Sequence, residues 1–250
     1  MRPLVVLVHG SLSSAHEWGE YAGLLPDAEV VTLDLPGHGT QAHRPFTMAA
    51  ALELIEDAVA QSMVGQPVVL AGHSLGGYLA YAFAARHPGR LDGLVLIGAT
   101  GDPRSVLAQI YRGYAWLVER VDHRRLACIR DAVARRIGLS DDQIPDASAY
   151  AALPAAWRAV MNDCPPELLA RIDCPVLLLN GQFDQMRLNE RRYLQLAATA
   201  QLKHVPGATH LAPMTHPTQV AAAVCEFTQQ VLTPRMRVTS SADLNDERPG

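Results

Sequence analysis

The sequence is poor in lysine, cysteine and aromatic residues, and it has no long apolar run. Lys203 is its only lysine, and 21 basic against 25 acidic residues leave a net charge of −4. That balance gives no broad positive field to attract nucleic acid or an anionic membrane, so a small-molecule partner is expected. The scarcity of lysine beside abundant alanine reads as codon bias, and no chemistry follows from it. Cys128, Cys164, Cys174 and Cys225 are widely spaced, with no C-x-x-C pair and no histidine at zinc-finger distance. This spacing excludes a structural zinc site and a disulfide framework, and it predicts free thiols in a reducing compartment, the cytoplasm. Only five apolar residues, Leu4 to Val8, precede His9-Gly10, too few for the apolar region of a signal peptide. No segment approaches the roughly 18 apolar residues of a membrane span. No metal or organic cofactor is expected.

What is present is a chain of 250 residues, 49% of them hydrophobic, enough for one large α/β core. Short β-rich runs recur at Leu4–Val8, Val30–Leu33, Val68–Ala71, Gly93–Ile97, Val176–Leu179 and Leu202–Val205. Helical patterns alternate with them, notably Met48 to Met63 behind Thr47 as an N-cap and Leu75 to Arg86 before His87-Pro88-Gly89. Alternation of this kind predicts a mostly parallel sheet of about six strands with helices on both faces. The rhythm breaks once: about seventy residues separate Ile97 from Val176, where a crossover needs only about a dozen. Residues 103–171 are therefore read as a mostly helical cap inserted between two parts of the core, 1–102 and 172–232. Residues 233–250 are polar and aperiodic, which predicts a disordered tail.

Gly72-His73-Ser74-Leu75-Gly76 lies between a buried-strand pattern and a helix pattern. A serine nucleophile needs such a turn, because its strained backbone leaves room only for small residues two positions away on either side. The hydroxyl also needs a general base oriented by a carboxylate. His210 leaves the last strand in Val205-Pro-Gly-Ala-Thr-His210, at the sheet edge that would carry Ser74. Two carboxylates compete for the third role: Asp184, after the fifth run, and Asp102, after the fourth. We choose Asp184 and read Asp102 as a helix cap. Oxyanion donors are expected from the amides of Leu75, at a helix start, and Ser11, in the loop after the first strand. His9 is expected to brace that loop.

With these residues the chain resembles the α/β-hydrolase superfamily from Leu4 to about Val231. His9-Gly10, Asp34-Leu-Pro-Gly-His-Gly39, Gly181-Gln-Phe-Asp184 and Gly207-Ala-Thr-His210 stand in that family's order of serine, acid and histidine. The resemblance implies that the acid follows the strand before Asp184, that Asp34 to Gly39 is a structural turn, and that the usual first hairpin is missing. His16-Glu17-Trp18 and the Asp34 turn are also similar to segments of menaquinone-pathway lyases that eliminate pyruvate. Those enzymes carry an arginine four residues after the nucleophile, where this chain has Tyr78. A serine nucleophile argues against dehalogenase and epoxide hydrolase activity.

Substrate contacts are less legible. Tyr111, Trp116 and Trp157 either line an apolar acyl pocket or anchor the cap, and Trp18 either faces the site or packs beneath it. Arg120, Arg124, Arg125, Arg130, Arg135 and Arg136 either grip an anion or form a solvated helical face among Glu119, Asp122 and Asp131. The expectation is a serine hydrolase acting on a small or medium carboxylic ester through an acyl-enzyme. A lyase or carbon–carbon hydrolase with the same triad is the alternative, and a binding module on the same fold is a third possibility.

Overall fold

The computed structural model describes residues 1–105, 113, 118, 120–136 and 149–233. Its centre is one six-stranded sheet, β1 (Leu4–Val8), β2 (Glu29–Leu33), β3 (Val68–His73), β4 (Gly93–Ile97), β5 (Val176–Gly181) and β6 (Ala200–Val205). The spatial order is β2-β1-β3-β4-β5-β6, and every pairing is parallel. β1, β3, β4 and β5 are buried along their whole length, whereas the edge strands β2 and β6 are partly exposed. That division explains the sequence pattern: strands covered on both faces need continuous apolar runs, while the edges admit polar residues such as Lys203 and His204.

The described helices are α1 (Tyr21–Leu24), α2 (Met48–Val59), α3 (Leu75–Arg86), α4 (His123–Arg136), α5 (Ala149–Asp163), α6 (Glu190–Leu196), α7 (Ala212–Thr215) and α8 (Pro217–Leu232). The Thr47 hydroxyl accepts the Ala50 amide proton and starts α2 as the sequence predicts. Alternating strand residues feed two cores. Leu4, Val6, Leu70 and Leu96 pack with α2, α3 and the buried face of α5, through Ala156 and Val160. Val5, Leu7, Val95 and Leu177 pack with Val220, Val224 and Phe227 of α8.

Strand β1 lies between β2 and β3, so the chain winds outward to β2 and then crosses back to β3. The loops leaving the carboxyl ends of β1 and β3 diverge there, and the crevice between them is where α/β sheets bind ligands. α4 and α5 lie between β4 and β5, within the long insertion. Its Tyr111 and Trp116, and the tail beyond Thr233, lie outside the described residues. No helix of the described residues is long and apolar enough to cross a membrane, and no group of three histidine, cysteine or acidic side chains among them could hold a metal ion. The four cysteines are free. Burial pushes the thiols of Cys164 and Cys174 up to about 12, so both stay protonated and inert near neutrality.

Candidate active site

Ser74 joins β3 to α3 with φ of 50° and ψ of −115°, outside the conformations an ordinary side chain prefers. The neighbouring glycines make this turn possible. A β-carbon at Gly72 would lie 2.3 Å from the Gly76 carbonyl oxygen, and one at Gly76 would lie 2.3 Å from the Val8 carbonyl oxygen. The strain lifts the hydroxyl above the sheet edge, and the Ser74 amide donates to the Ile97 carbonyl at 2.8 Å, anchoring the turn to β4.

His210 lies in the loop after β6. Its Nε2 is 3.0 Å from Ser74 Oγ, and its Nδ1 is 3.0 and 3.1 Å from the two carboxylate oxygens of Asp184. A ring protonated on Nδ1 donates to Asp184 and leaves Nε2 to accept the serine proton, the tautomer a general base requires. Asp184 is fixed in turn by the loop around it. Its Oδ1 accepts the Met186 amide at 2.7 Å, the Phe183 amide donates to the Ala208 carbonyl at 2.8 Å, and Thr100 holds the Met186 carbonyl at 3.1 Å. Burial works against ionising Asp184. The hydrogen bond and charge of His210, with the Met186 amide, outweigh it and hold the carboxyl below its ordinary value.

Asp102 does not approach His210. It accepts the Arg104 amide at 2.9 Å, capping the turn after β4, and pairs with Arg192. The Leu75 amide opens α3 directly after Ser74 and Ser11 follows Gly10 after β1; neither amide donates to an acceptor among the described residues. His9 is a brace: its Nδ1 donates to the Gly10 carbonyl at 2.7 Å, and its Nε2 accepts the Leu35 amide at 3.0 Å. Those partners require a neutral ring, and burial lowers its pKa accordingly. His38, in the Asp34 turn, is equally buried.

Trp18 is a correction. It is 1% exposed, packs edge-on against Tyr21 at 4.8 Å between ring centres, and belongs to the α8-side core. Its size and apolar character fill space beneath the first loop and leave no face for a substrate. Tyr78 is buried as well. Its hydroxyl donates to the Gly101 carbonyl at 2.7 Å, and its ring lies edge-on to Trp157 at 6.3 Å. These two rings share a small pocket with Pro103, Gln185, Met186 and Leu188, beside the Asp184 loop.

Three residues that sequence reading passed over complete the arrangement. Gly98, at φ of 57°, lies against Asp184 and His210. His73 and Glu17 form a buried pair at 2.6 Å directly behind Ser74. Gly98 followed a strand like many loop glycines, and nothing in a sequence marks a loop glutamate as buried.

Residues 5–223 match the model of the alpha/beta hydrolase family. The chain belongs to that family. Among its curated relatives is the 2-succinyl-6-hydroxy-2,4-cyclohexadiene-1-carboxylate synthase of Enterobacter sp. strain 638, 27% identical over 90% of this chain and 91% of the relative. Another is the pimeloyl-[acyl-carrier protein] methyl ester esterase of Neisseria meningitidis serogroup C, 30% identical over 91% of this chain and 94% of the relative. Among solved structures, a thermophilic esterase from Thermogutta terrifontis superposes with a TM-score of 0.76 at 28% identity, covering 92% of this chain and 91% of that one. MenH from S. aureus superposes at 0.77 with 16% identity, covering 93% of this chain and 96% of that one, a likeness of fold. This alpha/beta hydrolase thus has both ester-cleaving and synthase relatives.

Proposed function

We propose that this alpha/beta hydrolase is a serine esterase that cleaves a small or medium carboxylic ester, or a related activated acyl bond, through an acyl-enzyme on Ser74. The observation that carries the reading is the continuous path from Asp184 through His210 to the Ser74 hydroxyl, with both links near 3.0 Å. In this mechanism His210 takes the serine proton as Oγ attacks the carbonyl carbon, then delivers it to the leaving alcohol. It next activates water against the acyl-enzyme, while Asp184 holds the imidazole in its Nδ1-protonated tautomer. The amides of Ser11 and Leu75 bind the oxyanion of both tetrahedral intermediates, an interaction worth a few kcal/mol for each donor. Residues 103–171 act as a cap over this centre, and Tyr78 and Trp157 supply an apolar wall for the acyl chain. All of these steps use side chains, main-chain amides and water, and we assign the protein to the cytoplasm.

Lyase or carbon–carbon cleavage of an anionic substrate is the second reading, favoured by the synthase relative that matches 90% of the chain. Against it stands Tyr78. The position that would offer a guanidinium to a substrate carboxylate holds a phenol already bonded to the Gly101 carbonyl. A hydrolysis panel of p-nitrophenyl esters of graded acyl length, with and without a terminal carboxylate, separates the two. The esterase reading expects turnover of the uncharged esters that is lost in Ser74→Ala. Absence of turnover on every uncharged ester would favour the lyase.

A further inference from the structure

Behind the nucleophile lies a carboxylate–imidazole pair to which the proposed mechanism gives no role. His73 immediately precedes Ser74 and is 3% exposed, and the side chain of Glu17 has no exposure at all. His73 Nδ1 is 2.6 Å from Glu17 Oε1, and its Nε2 is 2.9 Å from the main-chain carbonyl oxygen of His210. The second carboxylate oxygen of Glu17 accepts the Gly10 amide at 3.1 Å. A β-carbon at Gly10 would lie 2.9 Å from His73 Nδ1 and 3.3 Å from the Ser74 β-carbon, so the loop after β1 is pressed against the elbow.

One pair thus touches all three segments of the site: the Gly10-Ser11 turn, the serine elbow and the His210 loop. Its protonation follows from its partners. A carboxylate and a carbonyl both only accept, so the ring donates from both nitrogens and is an imidazolium neutralised by Glu17. The charges agree with this. Burial disfavours the charged form of each group, but the mutual attraction prevails, raising His73 and lowering Glu17. Other titratable groups interacting with the pair include His9, with both members, Tyr21, with Glu17, and Asp184, with His73; the ring of His210 lies 4.9 Å from that of His73. A buried ion pair is a poor source of stability, because apolar residues of similar volume often serve as well or better. What it supplies here is fixed distance and direction among three loops.

We propose that Glu17 and His73 are positioning residues: through the Gly10 amide and the His210 carbonyl they hold the oxyanion turn and the base loop in register with Ser74. The proposal rests on the esterase reading of the same site. A misplacement of reacting groups by about 1 Å can cost about 100-fold in rate, and Glu17→Ala removes the shared anchor of both loops. Glu17→Gln can still accept from Gly10 and donate to a neutral His73, so it restores the geometry without the charge.

The test is the second-order rate at which a fluorophosphonate labels Ser74, with kcat and KM for a p-nitrophenyl ester and the thermal midpoint of each variant. Glu17→Ala is expected to slow labelling and kcat by about 30- to 100-fold with KM changed less than about three-fold, and Glu17→Gln to recover to within about five-fold of the unaltered protein. Labelling of Glu17→Ala within two-fold of the unaltered protein overturns the proposal, as does a loss in Glu17→Ala that Glu17→Gln fails to rescue. If Glu17→Ala yields no folded protein, Glu17→Asp carries the test. It keeps the charge but is one methylene too short to span His73 and Gly10 together, and an unaltered labelling rate contradicts the clamp. No labelling of the unaltered protein would instead defeat the esterase reading itself.

Discussion

Gly98 and Asp184 are in contact across the ends of neighbouring strands: a β-carbon at Gly98 would lie 2.8 Å from Asp184 Oδ2 and 3.0 Å from His210 Nδ1. The φ of 57° at Gly98 adds a second reason for glycine at this position. Gly98→Ala should therefore separate the acid from the base, lowering kcat by about 100-fold and costing about 1 kcal/mol in stability from backbone strain. Steady-state kinetics and chemical denaturation check the two effects. Activity within two-fold of the unaltered protein would mean that the loop tolerates a side chain against the pair.

Asp184 and Asp102 should respond very differently to the same substitution. Asp184→Asn removes the charge and replaces one of the two acceptor oxygens facing His210 Nδ1 with an amide group that donates, favouring the wrong tautomer, an effect of about 10,000-fold on kcat in triad enzymes. Asp102→Asn weakens the pairing with Arg192 and the turn at Arg104, and should leave kcat within about three-fold. Comparable losses in both variants would return the assignment of the acid to the open choice seen in the sequence.

His38 gives the fold a pH dependence of predictable sign. Burial holds its folded pKa at about 4 against an ordinary 6.5. The unfolded chain therefore binds more protons between those values, so stability falls as pH drops from about 6.5 toward 4. His38 should account for about 2 kcal/mol of loss between pH 7 and pH 5. His9 acts in the same direction and His73, whose pKa is raised, in the opposite one. Urea midpoints at the two pH values should differ less in His38→Asn than in the unaltered protein. An equal difference in both would show that His38 titrates normally.

Trp157 should set the length of acyl chain accepted. Its ring is 8% exposed and walls the small pocket edge-on to Tyr78. Trp157→Leu should shift the optimum of the ester panel toward longer acyl chains while lowering the thermal midpoint, as truncating a buried aromatic costs a few kcal/mol. An unchanged chain-length profile would assign Trp157 to anchoring alone.

The strands were legible because a sheet buried on both faces demands unbroken apolar runs. β1 and β4 begin and end where the sequence predicts, at Leu4–Val8 and Gly93–Ile97. β5 and β6 extend two residues beyond prediction, through Asn180-Gly181 and from Ala200-Gln201, where polar or small residues still pair with a neighbour. Helix α2 stops at Val59, earlier than the periodicity suggests, because Ala60 to Gly65 turn back toward Gln66, whose side chain binds the Arg2 carbonyl and Glu29. Ser74 and His210 could be found because each must follow a strand at one edge of the sheet. Both Asp184 and Asp102 leave strand ends, so the choice of Asp184 leaned on the family resemblance; its contact with His210 at 3.0 Å is the geometry that supports it. Trp18 stayed open because a large ring in a loop has the same composition whether it faces a crevice or the core. Glu17 and His73 stood inside sequence motifs, but their pairing was unreadable because it lies in one contact between residues 56 positions apart.

The proposed mechanism requires a covalent intermediate on Ser74. Intact-protein mass spectrometry of rapidly quenched reactions with a p-nitrophenyl ester, followed by peptide mapping, tests it directly. The expected result is a transient gain of one acyl group on the peptide containing Ser74, absent from Ser74→Ala. Ester turnover without any acylated Ser74, or an adduct that persists in Ser74→Ala, would contradict it.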